Sequence, residues 1–272
     1  MLRAAMPVKF CANLNFMFTE SADFLQRYRL AAQAGFSAVE GAFPPAHVSS
    51  AELAAVCKET GLEQILMNIA TGNRGKVSNG QFGCAAFPGL SEYFMKNLER
   101  TVECAKAINC KKIHIMAGKI LGEPTAENDA AYLSNLKSAA NVLEKANILG
   151  VIEPINKYAV PGYYLACYEK AIRVLREVNS PNLKLMFDIY HAQHIRGDIT
   201  SAIKSYGPYI GHVQLAQVPS RNEPDTDGEL NFRYVLRALE DNGYNDWVGC
   251  EYKPRAGTMQ GLGWLRDFGY WS

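Results

Sequence analysis

At 272 residues and 48% hydrophobic, the chain can bury one barrel-sized core or two small ones. Its 28 basic and 27 acidic residues leave a formal charge of +1, which gives no reason to expect nucleic acid or an anionic membrane as partner. No run approaches the roughly 20 apolar residues of a membrane span, and MLRAAMPVKF has no long apolar stretch, so no secretory signal and a cytoplasmic location are expected.

The apolar segment Val8 to Leu14, between Pro7 and Asn15, predicts strand one. Thr19 is a candidate N-cap for a helix stopped by Gly35. Ala38 to Ala42 predicts strand two, with Glu40 near its end. Ser49 or Ser50 caps a helix that ends at Gly61, and Leu62 to Ile69 predicts strand three, with Asn68 near its end. Thr71 to Gly89 holds five glycines and little apolar pattern, so it reads as an extended loop, a flap over the barrel mouth. Ser91 caps a long helix to about Asn109, and Lys111 to Gly118 predicts strand four, carrying His114. A helix at 3.6-residue spacing covers Pro124 to Leu149. Strand five then delivers Glu153, and Pro154 cannot continue a central ladder. Cys167 to Val178 predicts helix five, strand six carries Asp188, and Asp198 caps a short helix six. Strand seven carries His212 and Gln214, a polar loop covers Pro219 to Asn231, and strand eight carries Glu251. Gly257 to Tyr270 supplies a loop and the last helix. Seven scattered cysteines without a CxxC pair read as free thiols.

Eight alternations of strand and helix argue for an all-parallel α/β sheet, and continuous apolar strands agree with burial on both faces. The first βα turn has no GxGxxG, and the length suits a closed (β/α)8 TIM barrel better than an open doubly wound sheet. Composition does not shift along the chain, so a single domain over 1–272 is expected.

Glu153, Asp188, Gln214 and Glu251 are oxygen donors spaced near multiples of roughly 30 residues, one strand-plus-helix unit, so a barrel brings them to one mouth. Oxygen-rich sets suit Mg²⁺ or Mn²⁺, and a divalent ion relieves the repulsion of crowded carboxylates. A single strand-end carboxylate is as often a structural cap; four at barrel spacing argue for a shared site. Gln214 is the weakest donor. His191, Arg221, Lys157, Asn68 and His114 are candidates to contact substrate, Arg221 the better placed of the two cations to grip an anion. His114 and His212 could equally be satisfied core groups, and Tyr158, Tyr190 and Trp264 read as packing. Two glutamates flanking a metal-bound carbonyl suggest proton transfer through an enediolate, as in aldose–ketose isomerisation or epimerisation.

The segments FCANLNFMF, GFSAVEGAFP, IHIMAG, EPIN, DIYH, GHVQLAQVPSR, GELNF and GCEYKPR together resemble the hydroxypyruvate isomerase family among the xylose-isomerase-like TIM barrels. The resemblance implies interconversion of hydroxypyruvate and 2-hydroxy-3-oxopropanoate, with Glu153 and Glu251 as the proton donor/acceptor pair. It also implies a divalent ion held by Glu153, Asp188, Gln214 and Glu251. One departure stands out. Where many bacterial members carry GERG, this chain has Gly80-Gln81-Phe82-Gly83, and a further expected arginine is Leu90. If those charges hold the substrate carboxylate, Arg221 or Lys157 must do so here, or the substrate is a related sugar or sugar acid. The partner expected is therefore a small hydroxy-oxo acid or sugar-type molecule, with homo-oligomerisation left open. A metal-dependent abasic-site endonuclease of the same superfamily would call for a basic face and more histidine ligands. A non-catalytic metabolite- or partner-binding barrel is a reading of another class, and the intact glutamate pair argues against it.

Overall fold

A computed structural model describes residues 7–71 and 82–271. In chain order the elements are β1 (Lys9–Asn13), α1 (Phe24–Gln33), β2 (Ala38–Gly41), α2 (Ser50–Thr60), β3 (Glu63–Asn68), α3 (Ser91–Ala107), β4 (Lys112–His114), α4 (Ala126–Ala146) and β5 (Leu149–Ile152). Then follow α5 (Tyr168–Val178), β6 (Leu183–Asp188), α6 (Ile189–Ile195), α7 (Ile199–Tyr206), β7 (Ile210–Leu215), α8 (Phe232–Asp241), β8 (Trp247–Cys250) and α9 (Gly263–Asp267). The strands pair in parallel, each with its sequence neighbours, and β8 closes on β1. The expected (β/α)8 barrel is therefore what the chain forms.

Most of the core lies between the strands and the helices. On α5 the buried residues Tyr168, Ala171, Ile172 and Leu175 recur at three- and four-residue spacing, the period that turns one helix face to the sheet. Trp264 of α9 is fully buried, edge-on to Phe10 at 5.1 Å, and its indole N–H donates to the Tyr252 hydroxyl, so the last helix seals the β1–β8 seam. The barrel interior is different. It holds two small apolar clusters, Cys11, Ala38 and Ile65 packed with Trp247, and Leu66, Val151 and Met186 packed with Leu149. Toward the strand ends it becomes polar. The register sets Asn13 beside Glu40, Asn68 beside His114 and Asp188 beside Gln214.

Several expectations shift at the element ends. The first helix begins not at Thr19 but at Phe24, because the Asp23 carboxylate takes the N–H groups of Leu25 and Gln26. Ser49, rather than Ser50, caps α2, in a capping box with Glu52, and Gly61 closes that helix at φ 72°. Ser91 is itself in α3, after Leu90. The fourth helix stops at Ala146, with Asn147 left-handed at φ 54°, which frees Leu149 to open β5. A helix that the sequence did not suggest, α6, follows β6 directly. The flap expected over Thr71 to Gly89 lies largely outside the described residues. Its last part does not: Ala86 donates to the Ala117 carbonyl and so ties the segment to the end of β4.

Candidate active site

The carboxyl ends of the strands surround a cavity of about 520 Å³, lined by Glu153, Glu251, Arg221, His114, His191 and Lys253 among others. Each acid arrives on short, rigid backbone. Glu153 follows β5 immediately and is buried. Asp188 is the last residue of β6 and fully buried. Asp188 also caps α6: one of its oxygens accepts the Tyr190 N–H at 2.8 Å, leaving the other for the cavity side. Glu251 follows β8, with its side chain 15% exposed. Gln214 lies in β7 between Asp188 and Gly249 in register, beneath the cavity lining.

The loop after β7 is folded to bring Arg221 over this cluster. The buried Gln217 amide bridges the loop, accepting from the Val218 and Leu230 N–H groups and donating to the Thr226 and Leu230 carbonyls. The Arg221 N–H donates to the Gln217 carbonyl, and the Lys253 N–H donates to the Arg221 carbonyl. That holds Arg221 at φ 58°, a left-handed conformation costing on the order of 1 kcal/mol for a residue with a Cβ. Its guanidinium lies between the Phe16 and Tyr190 rings, at 4.6 and 4.7 Å from their centroids. It donates to Glu251 at 2.5 Å and reaches Asp188 at 3.5 Å. Tyr190 therefore packs against the site's cation as well as the surrounding core.

The electrostatics follow from burial and crowding. Burial, then Glu251 and Asp188, push the Glu153 carboxyl well above the ordinary carboxylate range. Glu251 is pushed up to about 8, mainly by burial, against the downward pull of Arg221. Asp188 is raised to about 6 by burial, with Arg221 and two backbone N–H groups opposing it. Burial also keeps the histidines neutral, His114 down to about 3 and His191 well below its usual value. His191 has a fixed tautomer: its Nδ1 accepts the Asn156 N–H at 3.2 Å, so a neutral ring carries its proton on Nε2. That N–H faces Asp188 at 3.4 Å and Glu153 at 3.7 Å.

Glu153, Asp188 and His191 offer ligand atoms within 4.8 Å of one another. The protonated Nε2 makes His191 a donor to a neighbouring oxygen rather than a ligand. The oxygen donors do suit a hard divalent cation. Among the described residues, Glu153 Oε1 and Gln214 Oε1 are both buried with no hydrogen-bond partner, and three acids share the space. A cation among Glu153, Asp188, Gln214 and Glu251 would satisfy both orphaned oxygens.

The remaining sequence candidates divide. Asn68 and His114 line the cavity and face each other at 3.2 Å, with His114 Nε2 3.6 Å from Glu153. Lys157 is exposed over the Tyr158 ring and is not among the cavity-lining residues. Lys253, which the sequence reading passed over, does line it. It stands two residues after Glu251, the spacing that returns a side chain to the same face of an extended segment. Asn13 was also missed: its amide donates to Glu251 and Glu40 at 2.8 Å each. A larger cavity of about 680 Å³ opens at the opposite barrel end, around Gln64, Lys112 and Asp246, away from these carboxylates.

The family model described as "Xylose isomerase-like TIM barrel" matches residues 28–268. A Cupriavidus necator protein named "2-oxo-tetronate isomerase" is 43% identical, covering 96% of this chain and 98% of its own. The "Hydroxypyruvate isomerase" of Escherichia coli is 39% identical over 96% of this chain and 99% of its own. A Brucella melitensis crystal structure titled "AP endonuclease, family 2" superposes with a TM-score of 0.90 at 38% identity, covering 96% and 99% of the two chains. Among the described residues, no helix is long and apolar enough to cross a membrane.

Proposed function

The chain belongs to the xylose isomerase-like TIM barrel family, and from that premise we propose that it is an intramolecular oxidoreductase interconverting hydroxypyruvate and 2-hydroxy-3-oxopropanoate. The observation that carries the reading is the pair Glu153 and Glu251. Two carboxyls raised by burial and crowding line one cavity beside the clamped Arg221.

In the forward direction one carboxylate of the pair takes a proton from C3, and the C–H electrons form the C2–C3 double bond of an enediol(ate). The other carboxyl returns a proton to C2. The C3 hydroxyl proton passes to the C2 oxygen, so the aldehyde forms with no net redox change. The Nε2–H of His191 is positioned as a donor to the charged oxygen of that intermediate. Glu153, Asp188, Gln214 and Glu251 would hold a Mg²⁺ or Mn²⁺ ion, which polarises the carbonyl and favours the ionised acids when bound. Arg221 and Lys253 supply positive charge at the rim for a substrate carboxylate.

The test is proton NMR with hydroxypyruvate in D₂O, with and without added Mg²⁺ or Mn²⁺. Deuterium enters C3 and the aldehyde product appears above the uncatalysed rate. Glu153→Gln and Glu251→Gln each reduce that rate by roughly 10²- to 10⁴-fold, the usual contribution of a placed acid or base. No exchange under any metal condition refutes hydroxypyruvate as substrate. A second reading, a longer 2-oxo sugar acid, is favoured by the cavity volume and by the name of the Cupriavidus relative. A substrate panel separates the two. A phosphodiester substrate is disfavoured: net charge is +1, and nucleic-acid affinity rests on many phosphate contacts.

A further inference from the structure

Beneath the cavity, a chain of polar groups, buried from Lys112 upward, runs up the barrel interior. At the lower end Asp246 pairs with the Lys112 ammonium at 2.6 Å, and Lys112 Nζ lies 3.4 Å from His212 Nδ1. His212 Nε2 meets Glu40 Oε2 at 2.5 Å, with the Cys11 thiol 3.5 Å from the same oxygen. Glu40 Oε1 accepts from the Asn13 and Gln214 amides at 2.8 and 2.7 Å. The second Asn13 N–H reaches Glu251 Oε2 at 2.8 Å. Glu40 and His212 are fully buried, and neither lines the cavity.

The direction of each bond in this chain is forced. An ammonium only donates, so His212 Nδ1 must accept, and the neutral ring carries its proton on Nε2. Glu40 receives that proton donor on one oxygen. An ionised carboxylate only accepts, so both amides must turn their N–H groups toward it. Gln214 therefore points its oxygen away from Glu40, and that oxygen is buried without a partner among the described residues. The room for Glu40 comes from Gly249: a Cβ there would sit 2.2 Å from Glu40 Oε1.

We propose that Glu40 is a positioning residue, which presents the carbonyl oxygen of Gln214, not its N–H₂, to the metal position, and turns Asn13 to donate to Glu251. Lys112 sets the polarity of the whole chain through His212. The proposal deepens the isomerase reading and rests on it for the roles of Gln214 and Glu251. The hydrogen-bond polarity itself is independent of that reading.

The test is the isosteric variant E40Q. His212 still donates from Nε2, so the glutamine must accept there and offer its N–H₂ to Asn13 and Gln214. Both amides then reverse. Mn²⁺ affinity, read by water proton relaxation, and turnover should each fall about 10- to 100-fold, the usual effect of losing a partner that orients a ligand. Adding K112Q reverses the loss: the new amide oxygen accepts from Nδ1–H, His212 accepts at Nε2, and the glutamine at position 40 turns back. The K112Q single variant is the reference for the double. Nitrogen-15 NMR of His212 should show Nε2–H in wild type and in E40Q, and Nδ1–H in the double variant. A merely structural role for Glu40 predicts no such rescue and no tautomer switch. Wild-type His212 protonated at Nδ1 overturns the proposal. So does a folded E40Q within about twofold of wild type in both readouts, or a double variant no better than E40Q. If E40Q does not fold, the wild-type tautomer still decides. That measurement needs neither substrate nor metal, so a failed substrate assay leaves it standing.

Discussion

Replacing Glu251 with glutamine, in a metal-free chain already carrying Glu153→Gln, isolates the energetic consequence of burying this one acid at the mouth. Burial is the main cause that holds this carboxyl at about 8, against an ordinary value of 4.5. The folded state therefore keeps a proton that the unfolded chain has released by pH 7. A folded pKa raised above the unfolded one contributes stability that is lost as pH rises through the folded value. From pH 7 to pH 9 a group titrating near 8 loses about one unit of proton-binding advantage, or about 1.4 kcal/mol. Glutamine stays neutral throughout. The constant cost of its weaker bond to Arg221 cancels when the two pH values are compared. The stability of the double variant relative to Glu153→Gln should thus improve by about 1.4 kcal/mol between pH 7 and 9, roughly 3–5 °C in Tm for a chain of this size. Thermal unfolding in chelator at pH 7, 8 and 9 measures it. The buried cysteines also lose stability above their ordinary range, but equally in both proteins, so the difference removes them. A difference that stays flat or shrinks over this window would refute the burial argument for Glu251.

Three further outcomes follow from the same geometry. Mn²⁺ at a hundredfold excess over its Kd at pH 8.5 should stabilise the fold by about 2.7 kcal/mol there, and the same concentration should give a smaller Tm increment at pH 6, where protons compete for the carboxylates. A pH-independent increment would place the ion elsewhere. Arg221→Met leaves Glu251 and Asp188 without their shared cation; urea unfolding should show a loss of about 3–5 kcal/mol at pH 9 and less at pH 6, where Glu251 is protonated. Trp264→Ala should cost about 3–5 kcal/mol in urea unfolding, because the buried indole both fills the β1–β8 seam and bonds Tyr252.

How much of this was legible in the sequence depends on the range of the interaction. Strand and helix alternation is a local signal, and the eight strands lie where the apolar segments placed them. Element ends are decided by single side chains, and there the reading slipped. Asp23, not Thr19, holds the Leu25 and Gln26 N–H groups in the first turn of α1. Asp188 was read only as a ligand, yet the same carboxylate caps α6, a helix of seven residues too short to show a period. The four oxygen donors were legible because barrel spacing is itself a sequence property. Arg221 was legible as a cation near the mouth, but not its bond to Glu251, which depends on how the Gln217 amide folds the loop. Lys253 carried a usable signal, two residues from Glu251, that the more conspicuous Lys157 obscured. Asn13 gave none: its partner Glu251 is 238 residues away, and only closure of the barrel brings the two together.

That long-range closure explains why this barrel has polar groups where packing alone would favour branched apolar side chains. A layer of Asn13, Glu40, His212 and Gln214 adds nothing to the hydrophobic core, and each group would be costly to bury alone. The layer is tolerable because its donors and acceptors match. His212, Asn13 and Gln214 donate, and with the burial penalty so offset the Glu40 carboxyl lies below its ordinary value. At the top of that layer and above it the matching stops among the described residues: Gln214 Oε1 and Glu153 Oε1 have no partner, and Glu153 and Glu251 are raised instead of lowered. Two carboxylate environments thus sit in one barrel, the lower hydrogen-bonded and lowered, the upper crowded and raised. An acid raised toward neutral pH can exchange a proton with a substrate; one held low stays ionised. The lower layer is what holds the upper one in place, so damage to Glu40 should appear first in the orientation of Gln214 and only later in the stability of the fold.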